Sequence, residues 1–208
     1  MKKTGFTLVE ILIVAAIISI LLGIALPVLT RGQRRARVVE TSTLIQGIVA
    51  ALDTYQADFG DYPPTSIADI GFATNGINDG IESLLISLAT KEKKGPYFQP
   101  KEKFLANLDS DSVAGSYNLT WYFGDRAARE IVDSWGNPLV YFHHRDYENP
   151  KANLQRYKLV NKKYASSVRP KKSLKTSTFP SWDSFEIWSF GPDGVNDNGE
   201  GDDITSWK

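Results

Sequence analysis

Residues 6–29 read FTLVEILIVAAIISILLGIALPVL, a run of 24 residues with one ionisable side chain, Glu10. MKKTG (1–5) precedes it, and TRGQRRAR (30–37) follows. As an α-helix the run would extend ~36 Å at 1.5 Å per residue. That is long enough to cross a hydrocarbon core of ~30 Å with some tilt. A cleavable secretory signal has a shorter apolar stretch, roughly 7–15 residues, and ends at a small-residue cleavage site. A plain one-pass anchor explains the length but not two of the residues. Glu10 would cost up to ~3 kcal/mol at mid-bilayer, less at its shallow depth. Pro27 removes one helical hydrogen bond and crowds the carbonyl of Gly23. Flanking charge does not set the orientation: Lys2 and Lys3 stand on one side, Arg31, Arg34, Arg35 and Arg37 on the other.

The chain has 208 residues, 24 basic and 24 acidic, and no cysteine. Net charge therefore says nothing about partners. Disulfide frameworks, thiolate metal sites and cysteine nucleophiles are excluded, so an exported form must be stabilised by its core, by a metal or by assembly.

Beyond the apolar run the pattern becomes amphipathic. Ile45, Ile48, Leu52, Tyr55 and Phe59 fall three, four, three and four residues apart, a stripe on one helix face. Gly60 and Tyr62-Pro-Pro64 stop the helix. Gly23, Pro27 and Gly32 are its expected weak points. In residues 60–208, Gly80–Thr90 reads as a short helix with Ile81, Leu84, Leu85 and Leu88 on its apolar face, closed by Gly95-Pro96. Ser116–Phe123, Leu139–His143 and Ser184–Phe190 read as strands, the last with Phe185 and Ile187 on one face and Trp188 and Phe190 on the other. The fold class predicted is α+β: a long amino-terminal helix packed on a small antiparallel sheet.

The string Gly5-Phe-Thr-Leu-Val-Glu10, behind a short basic leader and ahead of a membrane-length run, resembles the prepilins of type IV pili and type II secretion pseudopili. The resemblance implies cleavage between Gly5 and Phe6 by a prepilin peptidase and N-methylation of Phe6. It implies a single-pass inner-membrane protein whose carboxyl-terminal domain lies in the periplasm. Four segments follow: a leader (1–5), a transmembrane and filament-core helix (6–29), an amphipathic continuation (30–59) and a globular domain (60–208). It also supplies a role for Glu10. Cleavage creates an ammonium at Phe6, and Glu10 of one subunit can approach that amine on a neighbour. Two unit charges at ~4 Å attract by ~4 kcal/mol at an effective dielectric near 20, before desolvation.

Ala51–Pro64, Gly95–Phe98, Asp133-Ser-Trp-Gly-Asn-Pro138 with Tyr141, and Ser189–Gly194 ahead of Asp202-Asp-Ile and Trp207 look like the major pseudopilin of type II secretion. Relative to that family, residues 99–132 and 145–180 are insertions. The tail Asp193–Asp203 (DGVNDNGEGDD) holds five carboxylates and no basic residue. Composition admits either a solvated end or a Ca²⁺ site, since calcium takes six to eight oxygens in flexible geometry. The strict EF-hand pattern is absent. The resemblance implies calcium, held by the side chains of Asp193, Asp202 and Asp203 and by the carbonyls of Phe190 and Val195.

Ten basic residues lie between Arg145 and Lys175, against Asp146 and Glu148. They form either a solvated loop or hairpin, which could pack on an acidic loop of a neighbouring subunit, or a contact surface for an acidic partner or for DNA. No nucleic-acid-binding motif accompanies them. No nucleophile, phosphate-loop or dinucleotide motif is present, and the two histidines, His143 and His144, are adjacent and predicted on opposite strand faces. The expectation is a structural subunit and not an enzyme. It would polymerise with its own copies and with other pseudopilins on an inner-membrane assembly platform, to help export folded proteins. The alternative is a type IV pilin-like binding subunit, for adhesion or DNA uptake, that uses the basic insertion.

Overall fold

The computed structural model describes residues 7–112, 126–173 and 176–207, with the side chains of 25–27 outside the description. The predicted strand Ser116–Phe123 and the Gly5–Phe6 junction lie outside the described residues. The chain divides into two units, Met1–Arg37 and Val38–Lys208.

In the first unit the chain is helical from Leu8, the start of α1 (Leu8–Phe59). The helix is assigned without a break at Gly23, Pro27 or Gly32, so the expected weak points do not interrupt it. Its described apolar side chains are exposed, from Leu8 through Ile24 and again at Val28 and Leu29. With a mean hydropathy of 3.0 over its most apolar window, it is long and apolar enough to cross a membrane.

The second unit takes in the amphipathic part of α1. Ile45, Ile48 and Leu52 are fully buried, as their spacing predicts. Tyr55 and Phe59 continue the stripe as an aromatic pair with ring centroids 4.3 Å apart, and Tyr97 meets both edge-on at 5.4 and 6.0 Å. Gly60 ends the helix with φ of 85°, a left-handed conformation that glycine adopts without steric cost.

Helix α2 (Asp79–Ala89) starts and ends one residue before the predicted Gly80–Thr90. Ile81, Leu84, Leu85 and Leu88 are fully buried. The opposite face is buried too, including Glu82, Ser83 and Ser87.

Among the described residues the predicted single sheet is instead three small antiparallel sheets. β1 (Leu105–Ala106) pairs with β2 (Glu130–Ile131). β3 (Val140–His143) pairs with β6 (Phe185–Ser189), which pairs with β7 (Ile204–Thr205). β4 (Gln155–Lys158) and β5 (Tyr164–Val168) form a hairpin within the basic insertion. β2 folds back toward β3, but their ladder is reduced to one bridge, Val132 to Pro138. The bridge is held by the Asp133 amide donating to the Asn137 carbonyl at 2.8 Å and the Leu139 amide donating to the Ile131 carbonyl at 2.9 Å, so Pro138 sits where no ladder amide is needed. The core joins Ile45, Ile48 and Leu52 to the α2 leucines and to Tyr141, Phe142, Ile187 and Trp188. Phe142 and Trp188 stack at 5.8 Å on one face of the β3–β6 pair.

Candidate assembly and metal site

The amino-terminal site begins with a local role for Glu10. The Thr7 amide and hydroxyl each donate to Glu10 Oε2 at 2.8 Å, and the Glu10 amide donates to Thr7 Oγ1 at 3.3 Å. This is a capping box, in which an N-cap threonine and a carboxylate three residues on satisfy each other's backbone donors. Its signal in the sequence is Thr7-Leu-Val-Glu10, a threonine with a glutamate three residues on at the head of an apolar run. In the single chain Glu10 is therefore already engaged through one oxygen, within an exposed helix.

The carboxyl-terminal site is built on a chain that curls. Gly191, Gly194, Asn198, Gly199 and Gly201 all have positive φ. Gly191 is the one a side chain would disrupt most: a Cβ there would lie 2.3 Å from the Asp202 carbonyl oxygen. Asp203 is turned inward, 5% exposed. Its Oδ2 accepts the Gly199 amide at 2.7 Å and the Asp197 amide at 3.2 Å, while Oδ1 is buried with no hydrogen-bond partner. Burial pushes this carboxyl up to about 7, with the charges of Asp197 and Asp202 adding to the shift against the pull of the amides. A buried carboxylate oxygen without a donor suits a cation. Asp193 caps the turn locally, accepting the Val195 amide at 2.8 Å, and Phe190 is fully buried. The side chains of Asp193, Asp202 and Asp203 are not drawn into one cluster.

Among the described residues a different trio is so drawn. Glu82, Asp109 and Glu130 each place a carboxylate oxygen within 4.8 Å of the others. Sequence analysis missed this group because its members come from α2, a loop and β2, with no shared spacing.

The basic insertion packs on its own chain. Lys171 pairs with Glu200 of the acidic loop at 2.7 Å, Lys172 with Glu148 at 2.5 Å, and the Arg169 amide donates to Asn198 Oδ1 at 3.1 Å. The neighbour expected for this hairpin is thus in part intramolecular.

His143 and His144 do not point apart. Their rings approach to 4.3 Å, because the strand ends at His143 and the chain enters a 3-10 turn. The His143 Nδ1 accepts the Arg145 amide at 3.0 Å, so the Nε2–H donates to Asp61 at 2.9 Å.

Residues 1–26 match the family described as the prokaryotic N-terminal methylation motif. Over 139 residues the chain is 30% identical to the type II secretion system core protein G of Escherichia coli (strain K12), covering 67% of this chain and 71% of that protein. The chain belongs to the type II secretion core protein G family. The family's protein from Pseudomonas aeruginosa is 29% identical over 140 residues, covering 67% of this chain and 73% of its own length. The type IV major pilin protein PilE1 of Neisseria gonorrhoeae is 30% identical over 133 residues, but that match covers 62% of this chain and 61% of the pilin. No solved structure matches the chain significantly. The long apolar helix α1 followed by small antiparallel sheets is the α+β arrangement of the pilin fold.

Proposed function

We infer that this protein is the structural subunit of a type II secretion pseudopilus, polymerising from the inner membrane to help export folded proteins. The observation that carries this is the match to core protein G, which covers two thirds of the chain and so cannot be confined to the methylation motif of residues 1–26. Prepilin peptidase cleaves between Gly5 and Phe6, and Phe6 is N-methylated. The exposed apolar part of α1 anchors the subunit in the bilayer and then packs beside its copies and other pseudopilins in the filament. No step here requires catalysis by the subunit. The globular unit stands in the periplasm.

Calcium fits the terminal loop by the chemistry of its donors. Asp193, Asp202 and Asp203 would supply carboxylates, and Phe190 and Val195 carbonyls. Bound there, the ion would neutralise the loop's repulsion and hold it to β6 and β7. Asp203 Oδ1, buried without a donor, supports this reading.

Two measurements test the proposal. Deleting the gene is expected to abolish exoprotein secretion, and mass spectrometry of the mature chain is expected to find N-methylated Phe6 as the first residue. A mature chain beginning at Met1, or secretion unaffected by deletion, would overturn it. DNA binding that weakens with salt would favour the uptake pilin instead. With Lys171 and Lys172 held by Glu200 and Glu148, the insertion offers less free charge for that purpose than its composition suggests.

A further inference from the structure

We propose a second divalent-cation site, selective for Ca²⁺, formed by Glu82, Asp109, Asp111 and Glu130 where α2, the 107–111 loop and β2 meet. It shares no residue with the terminal loop and does not rest on calcium binding there.

The residues arrive from three elements. Glu82 sits in the first turn of α2 and is 1% exposed, and its Oε1 is buried with no hydrogen-bond partner. Glu130 in β2 is fully buried, and its carboxylate accepts the Asn78 side-chain amide at 2.6 Å and the Leu108 backbone amide at 3.0 Å. Asp109 and Asp111 are bridged by one Asn75 amide nitrogen, at 2.7 and 3.1 Å, and the Asp111 Oδ1 is buried without a partner. Two carboxylate oxygens without donors therefore belong to this one acidic group. Glu82, Asp109 and Glu130 bring an oxygen each within 4.8 Å of one another. Oxygens around a shared calcium lie about 2.3–2.6 Å from it, so ligands on opposite sides of the ion stand at about that separation.

Among the described residues no ion pair reaches any of the four carboxylates. Burial first, then the neighbouring acids, pushes Glu82 up to about 10 and Asp111 to about 7. Such a group must hold either protons or a cation. The donor set is all oxygen, without histidine or cysteine, which excludes the usual zinc chemistry and selects a hard ion. Four carboxylates suit the high coordination number of calcium. Magnesium keeps several waters and takes one or two carboxylates.

The test uses the full-length chain in detergent, stripped with EDTA and dialysed, then titrated with CaCl₂ while bound ions and melting temperature are measured. The E82Q/D109N chain is expected to bind one Ca²⁺ fewer than wild type, or to show at least tenfold weaker affinity for it. The D202N/D203N chain is expected to keep the ion lost from E82Q/D109N. Asp109→Asn alone, on a half-buried loop, tests the site with little risk to folding. Gln is the isostere of a protonated Glu82, so it separates the two states. If protons neutralise the group, E82Q melts as wild type does and wild type and E82Q/D109N bind equal numbers of ions. That result, or a Mg²⁺ titration reproducing the Ca²⁺ response at equal concentration, would overturn the proposal.

Discussion

The Ser189 hydroxyl donates to Asp133 Oδ2 at 2.6 Å and accepts the Gly191 amide at 3.0 Å. One side chain thus joins the turn after β2 to the start of the acidic loop. Asp133 also accepts the Trp135 and Asn137 amides at 2.8 and 3.0 Å, so it organises the turn and the loop together. Ser189→Ala leaves a buried carboxylate oxygen and an amide without a partner, which costs about 1–3 kcal/mol. A drop of about 2–4 °C in Tm per kcal/mol is expected for a chain of this size. A Tm equal to wild type would mean that the link is idle.

Glu10 caps the start of α1, and one pair of variants separates that role from the proposed contact with a neighbour's ammonium. Gln can hold a capping box and Ala cannot, while neither carries charge to meet a neighbour's ammonium. If charge sets assembly, Glu10→Gln and Glu10→Ala both insert in the membrane and both fail to form filaments. Filaments recovered with Gln alone would reduce Glu10 to its cap.

Glu186, in β6, is 1% exposed with one oxygen unpartnered. Burial, opposed only by a backbone hydrogen bond, pushes its carboxyl from 4.5 to about 8. The folded state therefore holds a proton that the unfolded chain releases above pH 4.5. This contribution is complete below that value and is lost as pH rises toward 8. Wild-type stability should decline across that window relative to Glu186→Gln, by up to about 1.4 kcal/mol per pH unit. Chemical denaturation of both chains at pH 5 and pH 8 checks the sign, and parallel profiles would refute it.

Gly80 opens α2 against the sheet. A Cβ there would meet the Tyr141 carbonyl oxygen at 2.4 Å and the Gln155 Oε1 at 2.8 Å. Alanine gains about 1 kcal/mol of helix propensity, but forcing helix and strand apart costs about 1–3 kcal/mol. Gly80→Ala should lower the Tm despite its better propensity. A raised Tm would show that helix and strand have room to part.

If the terminal loop holds calcium as proposed, removing the ion should lower stability by about 2.7 kcal/mol when free calcium had stood at a hundred times Kd. EDTA is expected to depress the Tm of the full chain and CaCl₂ to restore it. The part of that response assigned to the loop should vanish in D202N/D203N. A response undiminished in that variant would remove calcium from the loop.

How much was legible follows from which interactions are local. The α1 stripe, α2, β3 and β6 could all be read, because 3.6- and 2-residue periodicities are written along the chain. Gly60 was readable as a stop because its positive φ belongs to its own residue. The Thr7–Glu10 box was equally local and was missed through attention to a distant partner. The division into three sheets was not readable. It depends on which strand edges meet, and those edges belong to residues far apart in the chain.

The sequence by itself determined an apolar helix long enough for a membrane, its amphipathic continuation and the strands of the core, since each is set by the order of side chains along one segment. Only the tertiary structure decided that Glu82, Asp109, Asp111 and Glu130 share one buried place, that Lys171 answers Glu200, and that Asp203 turns inward while Asp193 stays with its own turn. Those relationships join residues far apart in the chain or turn on which carboxylate faces the interior, and for the carboxylates burial is what gives them energetic weight.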